Sequence, residues 1–261
     1  HSNIATIKGK TADIRAAYEA SEITTNNQIT LVDDEAIEIT DDTISVADVI
    51  YINSKTSGNI HALTGAGQAT TISGTATDVA TLLGVASGTG NNQLQDFHAL
   101  KVTLTGSSTV AQINTIDNPA GTPLTTGVIT ATVAEGDMET LKTIAATTTN
   151  ANKLTITITD TSVDAEDLKK VNEHTTLAVD ASQVTSVKGT FAELKDSYVT
   201  SAAGLTGLGN EALEAEGTIT VANANELSAF STGVAKAALG NETKLTLDAL
   251  TSSSNEYSVT V

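Results

Sequence analysis

The chain has 261 residues, with 31 acidic against 13 basic side chains, a formal net charge of -18, and Arg15 as its one arginine. Binding to nucleic acid or to an anionic membrane surface depends on Lys and Arg, so this balance argues against both as partners. The absence of cysteine excludes disulfides and thiolate metal sites.

A hydrophobic content of 39% is enough for a core. With no Trp and only seven aromatics, that core must come from Ala, Val, Ile and Leu. The 46 threonines favour strands, whose pleated surface accepts β-branched side chains. No apolar run approaches the roughly 20 residues of a membrane helix, so no membrane insertion is expected.

In chain order, one phrase recurs: a polar cap, two residues, an acid or Gln, then an aliphatic. It stands at Ser45 to Val49, Thr75 to Val79, Thr109 to Ile113, Asp164 to Leu168, Thr190 to Leu194 and Asn223 to Leu227. Two imperfect copies are Lys10 to Ile14, with Lys in the cap position, and Asp137 to Leu141, with Thr in the acid position. The phrase is a capping box: the cap side chain accepts a free amide of the first helical turn, and the acid reaches back to the cap's own N–H. A helix is therefore predicted after each cap. Apolar spacings of three and four agree, as in Ile14 with Tyr18, Val79 with Leu82 and Leu83, and Leu168 with Val171.

The caps follow segments that alternate aliphatic residues with Thr: Thr70 to Ser73, Leu100 to Thr105, Val128 to Val133, Leu154 to Thr159 and Gly217 to Val221. That period of two predicts strands. The expected fold is α/β, a solenoid of about eight strand–turn–helix repeats with parallel strands, because such a repeat buries its apolar face only against a neighbour. A doubly wound α/β sheet is the alternative. Gly84 to Asp96 and Asp117 to Gly127 read as loop insertions. Residues 1–261 are expected to form a single array cut from a larger protein, with an atypical capping segment at about 240–261.

Two longer echoes overlie the repeat. Ile7 to Ile14 (IKGKTADI) matches Val187 to Leu194 (VKGTFAEL), and Glu35 to Ala47 matches Glu211 to Ala222.

The residues that carry chemistry are sparse. Histidines 1, 61, 98 and 174 lack zinc-site spacing. Asp33, Asp34, Asp41, Asp42, Asp160 and Asp164 are the calcium candidates, since calcium takes six to eight oxygens. Their plainer reading is as acids at helix N-termini, where the helix dipole favours them. The glycine-rich pieces match neither a dinucleotide fingerprint nor a phosphate loop, and there is no GxSxG elbow. No catalytic residue or cofactor is expected. Ranks of outward Thr could face an ordered surface such as ice or crystalline polysaccharide, and the scarcity of aromatics removes the usual stacking platforms for soluble sugar.

Gly9 to Ser21 (GKTADIRAAYEAS), Gly74 to Leu83 (GTATDVATLL) and Gly204 to Leu213 (GLTGLGNEAL) resemble repeats in large Thr- and Ala-rich surface or virion structural proteins of marine cyanobacteria and their phages. The resemblance implies an extracellular, cell-surface or virion location and a non-catalytic structural or adhesive role. The partners it suggests are further repeats of the same protein or cell-surface polysaccharide. The alternatives are a carbohydrate-binding or carbohydrate-active solenoid and a calcium-stabilised surface repeat.

Overall fold

The computed structural model describes residues 4–22, 31, 34–62, 69–87, 94–117, 125–145, 151–240, 243–251 and 254–259. The chain divides into two compact units, one of His1–Thr132 with Ala145–Lys153, the other of Val133–Ile144 with Leu154–Val261. It is an α/β protein whose strand pairings are parallel.

In the first unit the elements run β1 (Thr6–Gly9), α1 (Thr11–Ser21), β2 (Ala36–Ile39), β3 (Thr43–Ser45), α2 (Val46–Asn53), β4 (Ile60–Ala62), β5 (Thr71–Gly74), α3 (Ala76–Ser87), β6 (Leu94–Gln95), β7 (Lys101–Ser108), α4 (Val110–Asp117) and β8 (Ile129–Val133). One sheet has the order β1-β2-β4-β6, and β3, β5, β7 and β8 are successive neighbours in another. Ile7, Ile37, Ile60 and Leu94 share one register position in the first; Ile44, Ile72 and Val102 share one in the second. α1 packs on α2, α2 on α3 and α3 on α4. Their stripes Ile14 and Tyr18, Val49 and Ile52, Val79 with Leu82 and Leu83, and Ile113 with Ile116 are buried.

The second unit continues with α5 (Met138–Leu141), β9 (Lys153–Thr155), β10 (Ser162–Asp164), α6 (Ala165–Glu173), β11 (Val179–Asp180), β12 (Ser186–Thr190), α7 (Phe191–Lys195), β13 (Leu205–Thr206), β14 (Ala212–Ile219), α8 (Val221–Leu227), β15 (Ala235–Leu239), α9 (Lys244–Leu247) and β16 (Glu256–Val259). Its main sheet has the order β10-β12-β14-β15-β16, beside a β11-β13 pair. β14 carries a bulge: Ala215 pairs with Ala237, but the next partner of Ala238 is Thr218, which leaves Glu216 and Gly217 unpaired on that side. Gly217 takes φ 74°, a left-handed conformation that glycine adopts without a Cβ clash.

Two expectations need adjustment. Leu154 to Thr159 keeps its alternation, with Leu154, Ile156 and Ile158 all buried. Only Lys153–Thr155 is a strand, however, and Thr157 makes an isolated bridge to Asp180 because β11 offers only two residues. Asn223 is not a cap. The helix begins one turn earlier, with Thr220 accepting the Asn223 amide, because only that start puts Val221, Ala224 and Leu227 on one buried stripe. Thr243 caps α9 by accepting the Thr246 amide.

Candidate functional site

The helix starts use acids and hydroxyls as the capping rule requires. Thr190 and Glu193 form a full capping box, and Thr109 and Gln112 form another. Ser45, Thr75, Asp137 and Asp164 each accept a first-turn amide. At α1, where the local cap is wrong, a residue beyond the next strand supplies one. Lys10 makes no side-chain cap, and the Thr11 amide donates instead to Asp41, 2.6 Å away and beyond β2. In the same way the Met138 amide donates to Asp160, adding to the cap from Asp137.

This places the calcium candidates. Asp41, Asp160 and Asp164 are bonded to backbone amides. Asp34 and Asp42 are exposed and belong to different turns, with the Asp42 carbonyl accepting the Thr70 amide, and Asp33 lies outside the described residues. Among the described residues no group of three or more His, Asp or Glu side chains gathers to hold a metal.

A second device escaped the sequence reading. Thr56, Thr125 and Ser231 each sit two residues before a glycine and accept that glycine's amide. Each hydroxyl in turn donates to a backbone carbonyl 20 to 25 residues earlier in the chain, that of Glu35, Leu100 and Glu211 respectively. The approach is so close that a Cβ on Gly58, Gly127 or Gly233 would fall 2.0, 2.1 or 2.1 Å from the same carbonyl oxygen. Thr175 does the same work without glycine, exchanging bonds with both Leu154 N–H and C=O. The sequence signal is the phrase TSGNI, TTGVI, TTLAV, STGVA (56–60, 125–129, 175–179 and 231–235), which recurs after a helix.

The Glu35 and Glu211 echo is also structural. Both carboxylates are fully buried, and each accepts a tyrosine hydroxyl, Tyr18 at 3.3 Å and Tyr198 at 2.7 Å. Glu211 additionally takes the Gly209 amide, and burial together with Glu211 pushes the Tyr198 phenol well above its ordinary range.

Outward side chains form rows. Across the second unit's main sheet Asp164, Lys188, Glu214, Lys236 and Glu256 stand opposite one another in register, alternating in sign, and Lys236 and Glu256 are 3.0 Å apart. In the first unit Lys8, Glu38, His61 and Gln95 make a comparable row, with Lys8 and Glu38 also 3.0 Å apart. An open groove of about 740 Å³ lies over β14, β15 and β16, lined by Glu214, Glu216, Lys236, Glu256 and Tyr257 among others. Hydroxyls make a further row on β3, β5 and β7, where Ser45, Ser73 and Thr103 share one register position.

Compared with known proteins, the chain matches no family model, no curated protein and no solved structure. No described helix is long and apolar enough to cross a membrane.

Proposed function

We propose that the chain is a non-catalytic structural or adhesive repeat region of an extracellular, cell-surface or virion fibre protein, built as a solenoid of strand–turn–helix repeats. One observation carries the reading: two of the calcium candidates and three hydroxyls are committed to backbone groups far from them in the chain. Asp41 and Asp160 cap the preceding helix, and Thr56, Thr125 and Ser231 hold the carbonyls just before β2, β7 and β14. A stack of repeats stabilised mainly by nearest-neighbour contacts suits a spacer or display surface, and the acidic coat limits nonspecific adhesion. Antibodies against the chain are expected to label intact producing cells or particles from outside; labelling only after lysis contradicts the reading.

A carbohydrate-active role is the second reading, and the groove favours it. Glu214 and Glu256 flank Lys236 on one face with Glu216 at the bulge, an arrangement that could offer two carboxyl groups to one glycosidic bond. Release of reducing ends from a polysaccharide panel, abolished by Glu214→Gln, would establish it in place of the structural reading.

A further inference from the structure

The echoed strands differ in how their edges are filled. In β12, Lys188 stands opposite Asp164 of β10 on one side and Glu214 of β14 on the other. In β1 the matching Lys8 stands opposite Glu38 of β2, and among the described residues β1 is the outermost strand of its sheet. β16 is likewise outermost in the second unit's main sheet, and the row alternating from Asp164 through Lys188, Glu214 and Lys236 stops there on an acid, Glu256. Ile4 and Val259, next to or within these two outer strands, are each 39% exposed.

We propose that β1 and β16 are the two halves of one interface: the free edge of β16 takes β1 of a second copy of this chain as a parallel strand, with Lys8 of the second copy opposite Glu256. The alternation then runs on unbroken through Lys236, Glu256, Lys8 and Glu38, and β1 acquires on its outer side the acid that β12 has in Asp164. Unpaired N–H and C=O groups on an outer strand are a template for another strand. The charges choose which one, because Glu256 against Glu256, or Lys8 against Lys8, places like charges opposite each other. The contact uses different surfaces on the two copies, so each copy offers one edge of each kind to its neighbours. This deepens the structural reading above and rests on it.

The test is sedimentation velocity of the full 261-residue chain over a range of concentrations and salt. The expected result is concentration-dependent oligomers at low salt that weaken as salt rises. Lys8→Glu or Glu256→Lys alone should lower the association constant about tenfold, and the double reversal should restore it. Both side chains are exposed, and circular dichroism of each variant verifies that it folds. A chain that stays monomeric, or a double reversal no better than the single ones, overturns the pairing. Because surface labelling is read separately, a monomeric chain that still labels the particle or cell from outside overturns the pairing alone.

Discussion

Asp41 accepts the Thr11 amide from 30 residues downstream, and so caps a helix whose own cap position holds Lys10. A carboxylate at a helix N-terminus gains from a charge-assisted bond and from the helix dipole. Asp41→Ala should therefore destabilise the first unit by about 1 to 2 kcal/mol in urea unfolding. Adding Lys10→Ser, which restores a local cap, should recover part of that loss; no recovery would mean that Asp41 acts by some route other than capping.

The register of α8 separates two neighbouring residues of similar type. Thr220 is the cap and Asn223 only offers its amide, so Thr220→Ala should cost about 1 kcal/mol and Asn223→Ala much less. Thr190→Ala, which breaks a full capping box, should match Thr220→Ala. Equal losses at Thr220 and Asn223 in chemical denaturation would put the cap in doubt.

Gly58, Gly127 and Gly233 leave no room for a Cβ against the carbonyls of Glu35, Leu100 and Glu211. Alanine at any of them should destabilise by more than about 3 kcal/mol, since backbone on both sides must move. Gly84 sits in α3 with nothing near its missing Cβ, and alanine there should stabilise by up to about 1 kcal/mol through helix propensity. Thermal melts of the four variants decide this.

Stability should form a plateau in pH. Hydrogen bonds from Thr140 and from Ser182, and the Lys169 ammonium, hold Asp137, Asp180 and Asp196 respectively below the ordinary value of 3.8. Their contribution is complete above that value and is lost as pH falls through the depressed folded values. Tyr198 is shifted the opposite way, above its ordinary 10.0, by burial and then by Glu211. Its contribution is complete below 10.0 and is lost as pH rises beyond it. Tm against pH should fall on both flanks, and Tyr198→Phe should lessen the alkaline fall.

Helix starts were legible where the whole capping device is local. Ser45, Thr75, Thr109, Asp164 and Thr190 cap the helices that the sequence predicts there, because the cap and its target amide lie within a few residues of each other. Asn223 misled because Thr220 and Asn223 are both cap types three apart, and only burial of Val221 chooses between them. The Asp41 cap and the charged rows depend on strand register, which pairs residues far apart in the chain and leaves no local pattern. The Tyr18–Glu35 and Tyr198–Glu211 pairs stand between these cases: the echoed phrases marked their neighbourhoods, while the bond itself needed the fold.

Asp41 and Asp160 hold first-turn amides of α1 and α5, helices that precede them in the chain. Amide hydrogen exchange at Thr11 and Met138, compared between the natural chain and the Asp41→Ala and Asp160→Ala variants, tests this most directly. Protection is expected to fall at Thr11 only in the first variant and at Met138 only in the second. Unchanged protection at both amides would contradict it.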